Sequence, residues 1–171
     1  NNREKLVYEA EQILENLSKR NMENIYLDDD ERNYSSMDRL RLVKTRVNQK
    51  FFRSSVLSAY NNSCAITGIK VNDFLVASHI KPWAVDQDNR LNPHNGICLN
   101  SIHDKAFDKG YLTIDKKYKI IISGKLKELY SSGFIKDVFQ KYEGQEIILP
   151  QKFKPSAEFL EYHNDVIFKG K

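Results

Sequence analysis

The run from Phe74 to Gly110 constrains this chain more than any other part of it. Two short apolar stretches, Phe74-Leu75-Val76-Ala77 and Gly96-Ile97-Cys98-Leu99, have the length and composition of strands. Pro82 stops the first, because a proline offers no N–H to a ladder. A polar loop from Asp86 to Asn95 separates the two. Behind the second, Ser101 to Lys109 reads as a short helix, and Gly110 closes it. The centre of the chain is therefore strand, long loop, strand, helix.

The flanks are read in the same way. Leu6, Ala10, Ile13, Leu14 and Leu17 recur at helical spacing and predict a helix over about residues 4–19. The acidic run Asp28-Asp29-Asp30-Glu31 is expected to be a loop. Ser35-Ser36-Met37-Asp38 has capping character. After it, Leu40, Val43, Val47 and Phe51 make an apolar stripe, while Arg39, Lys44, Arg46, Lys50 and Arg53 fall mostly on other faces. That predicts an amphipathic basic helix running towards Tyr60 and broken by Asn61-Asn62-Ser63. Downstream, Tyr111–Ile114 and Lys119–Ile122 form an expected hairpin, and Ser156–Val166 an expected terminal helix. The fold class is α+β. Residues 1–45 are expected to be a helical extension or linker and 46–171 one domain, which suits a chain of 171 residues.

Composition narrows the class further. Hydrophobic content of 40% argues against disorder. Two cysteines, Cys64 and Cys98, rule out a disulfide scaffold and suit a reducing compartment, so a cytoplasmic protein is expected. No apolar run reaches the roughly 18 residues of a membrane span. The chain opens on Asn1-Asn2 without an initiator Met, and a piece of a longer protein is expected. The net charge of +4 hides a split: residues 35–70 carry 7 basic and 1 acidic side chains, whereas residues 1–34 carry 5 and 9. A basic block of this kind attracts a polyanion such as DNA; a solvated helix face is the plainer reading of the same charges.

Two of the four histidines flank the central unit. His79 ends the first strand and His103 lies in the short helix, with Asn95 placed 16 residues after one and 8 before the other. Folding the unit back on itself brings the end of the first strand against the helix, so both imidazoles would face one cleft. A neutral imidazole can take a proton from water near neutral pH, and a second can hold a divalent metal. Phosphodiester hydrolysis needs both of those parts. Spacing alone equally allows two unrelated packing residues.

The wording of the sequence adds to the spacing. Phe52-Arg53, Cys64-Ala65-Ile66-Thr67-Gly68, Ala77-Ser78-His79-Ile80-Lys81-Pro82-Trp83, Asn95-Gly96-Ile97-Cys98-Leu99, His103-Asp104 and Phe107-Asp108-Lys109-Gly110 occur in that order. Ile148-Leu149-Pro150 and Phe159-Leu160-Glu161-Tyr162-His163 follow. Over roughly Arg46 to Phe168 the chain resembles the HNH, or ββα-metal, endonucleases, and in particular predicted restriction endonucleases with a C-terminal HNH domain.

The resemblance implies a ββα-metal core flanked by helices, and roles for its residues. His79 would be the general base, Asn95 would pin the loop between the strands, and His103 would ligate Mg²⁺ or Mn²⁺. Many relatives place Asp or His before the base, where this chain has Ser78. Asp108 is therefore taken as the second metal ligand, with Asp104 the other nearby carboxylate and a hydrogen-bonded helix end the alternative for Asp108. Some relatives carry two C-x-x-C pairs as a zinc site; with only Cys64 and Cys98 present, no structural zinc is expected and both cysteines are read as buried apolar residues.

The function so implied is metal-dependent endonucleolytic hydrolysis of double-stranded DNA, of restriction or defence type. Arg46, Lys50, Arg53, Lys81, Arg90 and Lys105 are the expected phosphate contacts, which position a duplex without reading it. A non-catalytic DNA-binding module with an HNH fold, and a non-specific degradative nuclease, are the alternatives. A homodimer is expected from the need to cut two strands, and target recognition is expected in a region outside this fragment or in a partner. Trp83 and His163 are read as packing residues and His94 as exposed.

Overall fold

In the computed structural model, residues 36–170 are described. The expected helix at 4–19, the acidic loop and most of the expected 1–45 extension lie outside them. The basic helix is present as α1, Ser36–Ala59. It ends where Asn61 and Asn62 take φ of 53° and 51°, the left-handed region that asparagine tolerates better than most residues. Among the described residues, those from Phe52 onward form one compact unit, and 36–51 belong to a separate one.

A three-residue turn, Asn72–Phe74, leads into strand β1, Leu75–His79. The strand thus starts one residue later than the apolar run suggests, and the Phe74 side chain stays exposed. After the loop, a second three-residue turn, Pro93–Asn95, precedes β2, Gly96–Asn100. The two strands pair antiparallel, Leu75 opposite Asn100 and His79 opposite Gly96. Helix α2, Ser101–Asp108, follows without a gap. Asn100 caps it: its side-chain oxygen accepts the backbone N–H groups of Ile102 at 3.1 Å and His103 at 3.0 Å. Gly110 ends the turn at φ 73°.

The hairpin β3, Leu112–Ile114, and β4, Ile120–Ile122, comes next, paired antiparallel as expected. Two short helices, α3 (Gly124–Lys127) and α4 (Gly133–Val138), lead to α5 (Ala157–Tyr162), which continues into a wider turn at His163–Ile167. The architecture is α+β, with a ββα unit at its centre. No helix among the described residues is long and apolar enough to cross a membrane.

One core joins these pieces. Phe52 and Val56 of α1 and Tyr60 just beyond it pack with Leu75, Ile97 and Leu99 of the first hairpin, and the cluster extends through Phe107 to Leu112, Ile120 and Leu160. Gly96 marks how closely α1 lies on β2. A Cβ there would fall 2.9 Å from the Phe52 ring and nearer still to Val56, so no larger residue fits without moving the helix.

His163 locks the C-terminal helix to this core. Its ring stacks on Phe107 at 3.7 Å, Nδ1 accepts the Thr113 hydroxyl at 2.8 Å, and Nε2–H donates to the Phe107 carbonyl at 3.1 Å. Burial holds its pKa down at about 4. The unfolded chain therefore binds a proton here that the native protein refuses, and stability falls as pH drops below the ordinary imidazole value near 6.5. Between about pH 7 and pH 4.5 the residue should remove roughly 2 kcal/mol of stability. Urea unfolding at the two pH values should show this loss, and His163→Asn, which does not titrate, should lower stability at neutral pH and flatten the dependence.

Candidate active site

Successive strand residues point to opposite faces, so Ser78 and His79 diverge at the end of β1. His79 turns towards α1, where its ring stacks on Phe52 at 3.8 Å and 10°. The edge of Trp83 closes the other side at 5.5 Å. Nε2 lies 3.0 Å from the Arg90 carbonyl. A carbonyl only accepts, so Nε2 carries the hydrogen and Nδ1 keeps the lone pair. Burial pulls the His79 pKa below its ordinary value, partly offset by the Arg90 carbonyl. The imidazole is therefore neutral at pH 7 and able to accept a proton.

The loop that supplies this carbonyl is held from inside. Asn95 is 1% exposed and joins its two ends. Its side-chain oxygen accepts the Lys81 N–H at 2.8 Å, and its amide donates to the carbonyls of Lys81 at 3.1 Å and Asn89 at 3.3 Å. Asn89 in turn donates to the Asp86 carboxylate. Arg90 folds back over Trp83, its Nε–H donating to the Trp83 carbonyl at 2.8 Å and its guanidinium lying 5.1 Å from the ring centre.

Ser78 faces α2 instead. It is buried and hydrogen-bonds the Asp104 carboxylate. Asp108 stands one helical turn further along the same face of α2. Burial first, and the charge of Asp108 second, push the Asp104 carboxyl above its ordinary value, against the hydrogen bond from Ser78. This half-buried carboxylate beside a second one lies next in sequence to the residue expected to act, yet it is not His103. Asp108 itself is exposed, with Lys109 3.4 Å away.

His103 does not share the His79 cleft. It is 1% exposed, its Nδ1 accepts from the Asn100 amide at 2.9 Å, and its Nε2–H donates to the Val138 carbonyl at 2.8 Å. The edges of Phe139 and Tyr142 enclose it. Its one lone pair is spent within the protein, so the expected metal ligand is a structural tie between α2 and the segment after α4. Cys64 belongs to the same interior. Burial raises its thiol, but hydrogen bonds with Thr67 and the backbone, together with the neighbouring His103 ring, outweigh this and bring it to about 7. Cys98 is buried beside it and pushed up to about 12, chiefly by burial.

The expected phosphate contacts divide into two groups. Arg53 donates to the Leu75 and Asn72 carbonyls at 2.8 and 3.3 Å, Arg90 is folded over Trp83, and Lys81 pairs with Asp86 at 2.9 Å and lies over Tyr162. These three are engaged in shaping the unit. Arg46 and Lys50 on α1 and Lys105 on α2 are exposed.

Among the described residues no three His, Cys, Asp or Glu side chains form a metal-holding group. Asp104, Asp108 and the Ser78 hydroxyl offer two carboxylates and one hydroxyl, the oxygen donors that hard divalent cations take. A cation there would also relieve the charge that Asp108 imposes on Asp104.

The HNH endonuclease family model matches residues 64–115, the stretch that contains the central ββα unit. A modification dependent TagI restriction endonuclease of known structure is similar over 66% of this chain and 35% of its own, at 17% identity and a TM-score of 0.44. The similarity thus spans about a third of that protein. No curated protein matches the chain.

The placement of His103 has a measurable consequence. His103→Ala would open a cavity and leave the Asn100 amide and the Val138 carbonyl without partners. It should cost about 3 kcal/mol, read as a lower midpoint in urea unfolding. Mn²⁺ affinity, measured by calorimetry below that midpoint, should not change.

Proposed function

We propose that this chain is a divalent-metal-dependent endonuclease of double-stranded DNA, with His79 as general base and with Asp104, Asp108 and Ser78 as the seat of Mg²⁺ or Mn²⁺. The observation that carries this reading is the state of His79. Its ring is fixed on three sides, one nitrogen is committed to the Arg90 carbonyl, and the other offers a lone pair from a neutral imidazole. That is the arrangement a base needs to remove a proton from an attacking water. Ser78 presents its hydroxyl to Asp104 from the opposite face of the same strand end. A cation held there would supply charge stabilisation at the phosphate and the leaving oxygen. Exposed Lys50 and Lys105 supply phosphate contacts that position the duplex. The matched HNH endonuclease family supports hydrolysis of a nucleic-acid phosphodiester as the reaction.

In this reading Arg90 is a positioning residue and not a phosphate contact. Its side chain secures the backbone whose carbonyl orients His79.

Cleavage of supercoiled plasmid with Mg²⁺ or Mn²⁺ tests the assignment. His79→Ala should cut at least about 100-fold more slowly, and the acid limb of the wild-type pH profile should have its midpoint below about 6.5. The sign follows from the lowered pKa: His79 stays neutral, and therefore active, to lower pH than a free imidazole. Asp104→Asn should lose cleavage and also weaken Mn²⁺ binding measured by calorimetry. Equal cutting by wild type and His79→Ala would sink the base role; a wild-type chain that binds DNA but cuts with neither metal would instead be a binding module.

Arg90 gives a separate test. Arg90→Ala should slow cleavage by about tenfold with DNA affinity nearly unchanged, and Arg90→Lys should not restore the rate, because an ammonium has no planar fork to hold the Trp83 carbonyl and ring together. A loss of DNA affinity that Lys repairs would mark a phosphate contact.

A further inference from the structure

The segment Gln151–Pro155 carries a strained and exposed aromatic residue. Phe153 has φ 58°, a left-handed conformation that bulky side chains seldom adopt. Tyr118 has a similar φ of 62°, but its ring packs against the core and its hydroxyl donates to the Pro155 carbonyl at 3.2 Å. Phe153 does not pack into the core: its side chain is 43% exposed. Single exposed apolar residues are ordinary, but one held outward at a backbone cost calls for a reason.

The surroundings hold this tip in place. The His94 ring donates from Nδ1 to the Lys154 carbonyl at 2.7 Å, and the Ser156 N–H donates to the His94 carbonyl at 3.0 Å. The His94 imidazole meets the Phe153 ring edge to face at 5.6 Å. His94 directly precedes Asn95, which closes the loop that orients His79. The tip is thus fastened to the loop of the candidate site, and exposed Lys152 and Lys154 flank the ring.

An exposed aromatic ring with an exposed lysine before and after it in sequence suits a ligand that alternates flat apolar groups with negative charge, which is the chemistry of a nucleic acid. Resting on the DNA reading of the neighbouring site, we infer that Lys152-Phe153-Lys154 is a second DNA contact, in which the Phe153 ring packs against a base or sugar and the two lysines meet the flanking phosphates. The strain at Phe153 is then the cost of presenting the ring outward to the duplex.

The same strain provides the control. Glycine is at ease at this φ, so Phe153→Gly removes the ring while relieving the backbone. Binding is measured in the His79→Ala background, where DNA stays intact, by anisotropy of a short fluorescein-labelled duplex. Phe153→Gly should melt at the same temperature as its parent or higher, and bind about tenfold more weakly. Lys152→Gln with Lys154→Gln should lower the slope of log affinity against log salt by about 1 to 2. Unchanged binding by the folded Phe153→Gly protein overturns the inference and leaves the DNA reading standing. A marked fall in its melting temperature would show the ring to be structural and also overturns it. A parent that binds no duplex overturns both.

Discussion

Asn95 is the interaction on which the site depends. A hairpin whose strands are five residues each cannot, by its own ladder, fix the long connection between them. The buried Asn95 carboxamide does so by joining the backbone of Lys81 at one end of the loop to Asn89 near the other. An amide suits this task because it donates and accepts at once, without a charge to desolvate. Once the loop is closed, the Arg90 carbonyl has a defined place, and so does the His79 ring that donates to it.

The four histidines illustrate how environment sorts one side chain into different tasks. Each places a ring nitrogen on a backbone carbonyl: His79 on Arg90, His94 on Lys154, His103 on Val138 and His163 on Phe107. What differs is the second nitrogen. In His103 it accepts from Asn100, and in His163 from Thr113, and both rings are buried. His79 is only half-buried at a strand end, and no partner for its second nitrogen is found among the described residues. Chemistry at an imidazole needs that freedom as much as it needs a suitable pKa.

Much of the fold could be read in advance because its signals are local. Pro82 and Gly110 mark ends, the apolar runs mark strands, and β1, β2, α2 and the second hairpin lie within a residue or two of their expected bounds. The site was legible in part. His79 and Asn95 lie on the central hairpin and its loop, and Asp104, named beside Asp108 as a nearby carboxylate, faces Ser78, whereas His103 turns into the core. The available signal was the spacing of Asp104 and Asp108 by one helical turn, which places two carboxylates on one face of α2. A one-residue step on a helix turns a side chain by about 100°, enough to send one of two neighbours into the core and the other towards β1.

The sequence by itself determined the order of elements, the basic character of α1, and the presence of a histidine and an asparagine around a loop, because propensity, punctuation and charge act over a few residues. Tertiary structure decided which groups meet. It sent His103 into an aromatic interior, set Ser78 against Asp104, and gave Arg53, Lys81 and Arg90 partners within the unit. It also brought His94 and Lys154, 60 residues apart, to one hydrogen bond and left Phe153 facing outward. Such pairings depend on long-range packing and on which lone pair or N–H is already taken, and neither is written in the spacing of the residues that supply them.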